Sequence, residues 1–203
     1  MAGQKRAAQS EKTKKTLFEA ATQLFRDKGF YATSIEDIVS AAGTSVGAFY
    51  YHFKCKEDLV YLWADVLDEN YQEYYDKITR EPDHGNAMDI ARKMFCMSLE
   101  SYSRWGSEFS AVSYSYMMRT PELNDRMVNG FRVFFRIISE LFRQGQEEGS
   151  IRRDIPVEVL VHNYTKAIRG AIIDWCISGG GNAIVEQNIP FINAFLDGMR
   201  PQP

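Results

Sequence analysis

Hydroxyl, aromatic and cationic side chains follow one another closely between positions 33 and 56 of the sequence. Two short amphipathic segments, 35–42 and 44–51, are joined by a turn at Gly43, which is the pattern of a helix-turn-helix. The second helix of that motif enters the major groove of DNA, where its first residues meet base edges and phosphates. Hydroxyl groups at the positive start of a helix suit phosphate oxygens. The spacing therefore predicts DNA contact by Thr44, Ser45, Gly47, Tyr50, Tyr51, His52 and Lys56.

A competing interpretation places the aromatic residues of the second segment in the hydrophobic core. Phe49, Tyr50 and Tyr51 are consecutive, and three neighbours on one helix cannot all point inward. We expect Phe49 to be buried with Phe53, and at least one tyrosine to be exposed. Lys56 favours the DNA interpretation, because a lysine in the first turn of a helix opposes the helix dipole and a phosphate partner would explain it.

The elements that would hold this motif are predicted to be helices along the whole chain. Leu17, Ala21, Leu24 and Phe25 fall on one stripe of a first helix over 11–28. Similar stripes predict further helices over 56–78, 87–105, 107–118, 120–147, 156–178 and a last segment around 189–199. No long period-2 pattern competes, so the predicted fold class is all-α.

Two local details concern helix ends. Thr33 and Glu36 have the T-x-x-E spacing of a capping box at the start of the second helix, with Ser34 as a second cap candidate. Pro190 either begins the last helix or kinks it.

Composition narrows the class of protein. The 203 residues are 45% hydrophobic and 25% charged, as in globular proteins, and no apolar run reaches the length of a membrane span. Without an apolar signal segment near the start, we expect a cytoplasmic protein. The net charge is −3, yet residues 1–28 hold seven cationic and three acidic side chains. A basic end on an acidic body fits a module that meets an anion, and equally a solvated tail.

The stretch from Leu17 to Val60 resembles a known family. It reads LFEAATQLFRDKGFYATSIEDIVSAAGTSVGAFYYHFKCKEDLV. Its features are A-x-x-L-F-x-x-x-G-[FY], then T-[ST]-I-x-x-I, then A-G-x-S-x-G-x-x-Y-x-H-F-x-x-K-E-x-L. These closely resemble the N-terminal domain of the TetR family of bacterial repressors.

The resemblance implies a homodimeric transcription factor of about nine helices. Residues 1–55 would form the helix-turn-helix DNA-binding domain, and residues 56–203 the ligand-binding and dimerisation domain. Carried over by position, the DNA contacts fall on Thr33 or Ser34, Thr44, Ser45, Gly47, Tyr50, Tyr51, His52 and Lys56, with Tyr50 and Lys56 as the best phosphate clamps. Two departures matter: Val46 replaces a frequent cation, and Cys55 is a weak helix cap.

The resemblance also implies a ligand pocket in the body, where aromatic and methionine side chains concentrate. Most of these must be core, but such side chains also line adaptable apolar pockets. Candidate pocket residues are Trp63, Leu67, Tyr71, Met94, Met97, Tyr114, Met118, Phe131, Phe135, Tyr164 and Trp175. We expect a largely apolar small-molecule effector of open charge. Charged groups that could meet it are Glu69, Glu100, Glu108 and Asp174 for a cation, or Arg92, Arg104 and His162 for an acid.

The last two helices would pair with those of a second copy. Ala167, Gly170 and Ala171 would allow close helix approach, although ordinary core packing would use small residues in the same way. A two-fold dimer would present its recognition helices about 34–36 Å apart to a pseudo-palindromic operator. The effector would act by moving the fourth helix, which starts beside Lys56 and runs into the pocket region.

Other functions have weaker support. A thiol-redox regulator would use Cys55, whose neighbours Lys54 and Lys56 would favour the thiolate. An enzyme lacks support, because the histidines are isolated and the common catalytic motifs are absent. A helical adaptor that binds protein does not explain residues 44–56. We expect no cofactor, no metal and no membrane partner.

Overall fold

The computed structural model describes residues 2–122, 132–181 and 183–201, and all regular structure in these ranges is helical. The described α-helices are α1 (Ala2–Lys28), α2 (Ile35–Ala41), α3 (Val46–His52), α4 (Leu59–Arg80), α5 (Ala87–Ser103), α6 (Gly106–Arg119), α7 (Val133–Glu148), α8 (Val157–Ile177) and α9 (Ile184–Asp197). A 3₁₀ turn, Lys56–Asp58, precedes α4. The all-α prediction is confirmed.

Helices α1 to α3 pack around a small aromatic core. The predicted stripe of α1 buries Leu17, Ala21 and Phe25. Phe49 of α3 is fully buried and its ring lies 5.3 Å from that of Phe53, between centroids. The amphipathic spacing read from the sequence therefore directs these helices toward one another, and it leaves the opposite side of α3 in solvent.

The cap of α2 lies one residue later than predicted. Ser34 accepts a hydrogen bond from the backbone N–H of Asp37, whose carboxylate accepts one from Ser34 N at 2.8 Å. The pairing of Thr33 with Glu36 was wrong, because Thr33 is buried and its hydroxyl donates to the carbonyl oxygen of Gly29 at 2.7 Å. Lys28 Nζ lies 2.7 Å from the Asp37 carboxylate, and with Ser34 it holds the pKa of Asp37 well below its usual range.

The larger body is built around α5, which packs against α4, α6, α7, α8 and α9. The hydroxyl of buried Tyr164 in α8 donates to the carbonyl of Ala91 in α5 at 2.7 Å, which ties the two helices. Helix α9 passes through Pro190 and begins at Ile184, earlier than predicted. The early part of the helix predicted over 120–147 falls on residues outside the described ranges. None of the helices in the described ranges is long and apolar enough to cross a membrane.

Candidate DNA-binding surface and ligand cavity

Helix α3 has one buried side and one exposed side. Ser45 caps it by accepting a hydrogen bond from the N–H of Ala48 at 3.2 Å. Phe49 is 0% exposed, whereas Tyr50 is 55% and Tyr51 78% exposed. The prediction that Phe49 is core and that a tyrosine is exposed is confirmed. The exposed tyrosines leave two phenol groups available to an external partner.

Glycine at position 47 is not required by packing within the chain. A Cβ added to Gly47 would meet only the Ser45 hydroxyl, at an ordinary contact distance of 3.8 Å. The turn glycine differs, because Gly43 has a φ of +61°, which other residues rarely adopt. A small residue on the exposed start of a helix suits close approach by another backbone. Gly47 thus fits a docking role better than a folding role.

Lys56 turns toward its own chain. Its ammonium donates to the carbonyl oxygens of Phe30 at 2.5 Å and Thr33 at 2.7 Å, and lies 4.2 Å from the Phe30 ring centroid. Burial lowers the pKa of this half-buried lysine. Lys56 therefore ties the α1–α2 loop to the start of α4, and its assignment as a main phosphate clamp is corrected. Thr33 is corrected too, because its buried hydroxyl is not available to DNA.

The remaining predicted DNA contacts lie around the exposed side of α3. Ser34 and Ser45 are exposed caps, and Thr44 is half-buried. His52 is half-buried at the end of α3, with its ring 4.9 Å from that of Tyr51 in an edge-to-face arrangement. These groups accompany the tyrosines at one surface.

Helix α6 of the body contacts the three-helix unit through a polar link that sequence reasoning missed. The hydroxyl of Tyr116 donates to one carboxylate oxygen of Asp58, and the other oxygen accepts the backbone N–H of Lys54 at 2.6 Å. Burial, reinforced by the Asp58 carboxylate, raises the pKa of Tyr116. The phenol is therefore a stable donor. Nothing in the local sequence announces a pair separated by 58 residues.

An aromatic contact accompanies that link. The ring of Phe109 in α6 stacks against Phe25 at 5.7 Å between centroids, and the guanidinium of Arg26 lies 5.2 Å from the Trp105 ring centroid. Helix α6 thus touches α1 as well as the turn before α4.

Cys55 does not have the environment expected of a redox switch. Burial is the main cause that raises the pKa of its thiol. Lys56 points toward Phe30 and Thr33, so its charge is committed elsewhere. The expectation that flanking lysines favour the thiolate was wrong.

A narrow cavity of about 40 Å³ lies among helices α4 to α8 of the body. It is lined by Leu67, Tyr71, Tyr102, Tyr114, Arg132, Phe134, Phe135, Thr165, Ile168 and Arg169. Four of the predicted pocket residues are among these: Leu67, Tyr71, Tyr114 and Phe135. The aromatic composition of the sequence thus indicated part of the lining.

Most other predicted pocket residues lie elsewhere. Trp63 is buried and does not line the cavity. Its ring centroid lies 4.9 Å from that of Tyr102 and 5.5 Å from that of Phe109. Met118 is 70% exposed. Four more are core residues that do not line the cavity: Met94, Met97, Tyr164 and Trp175. Phe131 lies outside the described residues.

The cavity has polar lining groups, of which Tyr102, Arg132 and Arg169 were not predicted from the sequence. Arg132, 6% exposed, donates from Nε to both carboxylate oxygens of Asp68 at 3.1 and 3.0 Å, and from Nη2 to the Ala64 carbonyl. The rings of Tyr102 and Tyr114 stack at 5.6 Å. Burial raises the pKa of both phenols, although the nearby Arg169 guanidinium opposes the shift. Both phenols are therefore neutral, and they are hydrogen-bonded to each other.

None of the charged residues that were predicted to meet an effector lines this cavity. The residues so predicted were Glu69, Glu100, Glu108, Asp174, Arg92, Arg104 and His162. The cationic lining residues Arg132 and Arg169 were missed, because a single arginine within an amphipathic helix gives the same pattern as a solvated surface residue. Within the described ranges, no three His, Cys, Asp or Glu side chains cluster as metal ligands would.

Large apolar side chains are exposed on the last two helices. They are Val159, Ile173 and Ile177 on α8, and Ile189 and Phe191 on α9. Ala167 and Ala171 pack into the core of the single chain, so their proposed role at the surface was wrong. Gly170 alone of the three small residues is exposed, with open space around it. Apolar surface of this kind marks an interaction face in many proteins.

An exposed α3 in a helix-turn-helix, joined to a helical body with an internal cavity, defines the class of helix-turn-helix DNA-binding regulators. Residues 17–61 match the family model described as bacterial regulatory proteins, tetR family. The chain is 26% identical to the HTH-type transcriptional repressor KstR2 of Rhodococcus jostii (strain RHA1), over 90% of this chain and 89% of that protein. Residues 17–61 therefore form a DNA-binding domain of the TetR family.

Solved structures agree in fold. The regulatory protein TetR from Rhodobacter sphaeroides is 19% identical, with a TM-score of 0.64 over 92% of this chain and 98% of that one. FadR from Bacillus subtilis, in complex with stearoyl-CoA, is 14% identical, with a TM-score of 0.58 over 91% and 98%.

Proposed function

We propose that this protein is a repressor that binds a pseudo-palindromic operator as a homodimer and leaves it when a largely apolar small molecule binds the body. The outward side of α3 carries the proposal, because Tyr50 and Tyr51 are exposed while Phe49 anchors the helix from below. Residues 1–55 would bind DNA, and residues 56–203 would bind the effector and the second copy. A DNA target implies action in the cytoplasm.

The proposed DNA contacts leave out Thr33 and Lys56, whose polar groups form hydrogen bonds within the chain. They are Ser34, Thr44, Ser45, Gly47, Tyr50, Tyr51 and His52. Hydroxyl and backbone groups would fix the register on phosphates, while the tyrosines reach base edges. Val46 is 39% exposed on the same helix and would supply an apolar contact to a thymine methyl group.

Dimerisation through α8 and α9 would cover the exposed apolar side chains on those helices. Ile173 and Ile177 lie one turn apart on α8, and Ile177 is 79% exposed. A two-fold axis there would set two α3 helices toward successive major grooves.

The effector would enlarge the cavity as it binds. A cavity of about 40 Å³ holds only a few water molecules, whereas pockets for small molecules typically measure about 300–1,000 Å³. So small a cavity fits the effector-free conformer. Tyr102, Tyr114 and Arg169 would meet an acceptor or acidic group on an otherwise apolar ligand.

Two helices would carry the response from the cavity to α3. Leu67 and Tyr71 line the cavity from α4, which starts directly after Asp58. Tyr114 lines it from α6, two residues before Tyr116, which donates to Asp58. Displacement of either helix would disturb the turn that follows α3. A coupling of about 1–3 kcal/mol would change operator affinity roughly 5–150-fold.

Selection of DNA by the full-length chain tests the proposal. Genomic fragments retained by the protein are sequenced, and the affinity for the enriched duplex is compared with that for a mixed-sequence duplex. We expect enrichment of an inverted repeat. A thermal-shift screen of apolar acids and neutral aromatics then seeks the effector, because a ligand that binds only the folded state raises Tm. Failure to enrich any sequence would refute the repressor proposal.

A further inference from the structure

The first part of α1 has no place in the core. From residue 6 onward, where the structure describes side-chain exposure, Leu17 is the first buried residue of the helix, and residues 6–16 are exposed or half-buried. We call residues 2–16 the α1 overhang. At 1.5 Å per residue the overhang extends about 22 Å beyond the packed part of α1. A helical segment of this length gains little stability by itself in water, so packing does not explain its presence.

The α1 overhang is strongly basic. It contains one acidic residue, Glu11, and five cationic residues: Lys5, Arg6, Lys12, Lys14 and Lys15. The rest of α1, residues 17–28, has two residues of each sign, and the whole chain has a net charge of −3. The positive charge of α1 is therefore confined to the part that the fold does not use. The pair between Lys15 and Glu19 is long, at 3.9 Å, and both side chains are largely exposed.

The α1 overhang runs beside the exposed end of α3. Arg6, Ser10 and Thr13 face Ala48, Tyr51 and His52 across an open groove. Lys14 lies in a second groove, which His52 and Lys54 also line. The basic helix and the exposed Tyr51 thus border the same groove, and His52 lines both grooves.

We propose that the α1 overhang binds the phosphate backbone of the duplex that α3 enters, so that each protomer covers DNA beyond its half-site. This inference rests on the proposed function. Two observations select DNA as the occupant: the charge complements a polyanion, and the surface continues that of α3. Duplex DNA carries one negative charge about every 1.7 Å along its axis, so a 22 Å helix can follow several phosphates.

The test compares two variants that lose the same charge. The first is Arg6→Gln, Lys12→Gln and Lys14→Gln in one chain. The control is Lys77→Gln, Arg80→Gln and Arg143→Gln, which removes three exposed cations from the body. Affinity for a 40-base-pair mixed-sequence duplex is measured against salt concentration, and circular dichroism verifies the helix content of each variant.

We expect the overhang variant to lower the slope of log affinity against log salt by about 3 per bound protomer, because each lost phosphate contact removes about 0.9. The control should keep the wild-type slope. On the selected operator, removing flanking base pairs should weaken the wild type and leave the overhang variant unchanged.

The outcomes separate the two proposals. A wild type that prefers no sequence would refute the repressor proposal. A wild type that prefers an operator, with an overhang variant of unchanged salt slope, would overturn the inference about the overhang alone. Retention of the wild type, but not the variant, by vesicles containing phosphatidylserine, with equal salt slopes for DNA binding, would assign the α1 overhang to lipid headgroups and likewise overturn the inference.

Discussion

Replacement of Lys56 by methionine separates a structural role from a phosphate-binding role. The ammonium makes two charge-assisted hydrogen bonds, to Phe30 O and Thr33 O, and a cation–π contact with the Phe30 ring. Hydrogen bonds to a charged group contribute about 1.5–3 kcal/mol each, and an exposed cation–π contact about 0.5–1 kcal/mol. The summed contribution of these contacts to stability is reduced, because Lys56 is only half-buried and because the desolvation that lowers its pKa also costs free energy. We expect a net loss of about 2 kcal/mol.

The assay is thermal unfolding together with the salt dependence of DNA binding. A loss of about 2 kcal/mol in a protein of this size lowers Tm by roughly 4–8 °C, and we expect the salt slope to stay unchanged. Lys54→Met is the matched control for stability, because it removes an exposed lysine two residues away whose backbone N–H, and not its side chain, binds Asp58. An unchanged Tm with a slope lowered by about one unit would show that Lys56 binds phosphate, contrary to this reasoning.

Three further predictions concern α3, the cap of α2 and the dimer. Tyr51→Ala should abolish preference for the selected operator in a binding titration while the molecular mass by light scattering stays that of the wild type; retained preference would remove the tyrosine from the contact. Asp37→Asn should lower Tm at neutral pH and make Tm decrease less as the pH is lowered into the acid range. The folded-state pKa of Asp37 is depressed, so its stabilisation is present above about pH 4 and is lost as the pH falls below that; equal pH profiles would contradict this. Ile177→Lys should dissociate the dimer in sedimentation, whereas Met118→Lys, which also charges an exposed apolar position, should not.

The start of the DNA-binding unit could be predicted because its information is local. Three consecutive aromatic residues on one helix force some of them outward, and the buried Phe49 shows which side is the inner one. The register of the α2 cap could not be settled in this way. Thr33-x-x-Glu36 and Ser34-x-x-Asp37 both fit the capping pattern, and only the burial of Thr33, whose hydroxyl donates to the Gly29 carbonyl, decides between them.

Long-range partners explain the other differences. The position of Lys56 against the helix dipole marks it as unusual, but its partners are carbonyl groups of residues 26 and 23 positions earlier in the chain. Arg132 belongs to the same class, because its partner Asp68 is 64 residues away. In the sequence Arg132 and Asp68 have the pattern of surface charges, and only the packing of α4 against α7 reveals that they form an ion pair.

The central claim is that the exposed side of α3 reads a specific DNA sequence. Its most direct test is the ratio of affinities of the full-length chain for its selected duplex and for a mixed-sequence duplex, measured by fluorescence anisotropy at 150 mM salt. We predict a ratio of about 10³ or more, as specific DNA-binding proteins show, and its loss in Tyr51→Ala. A wild-type ratio near one would contradict the claim.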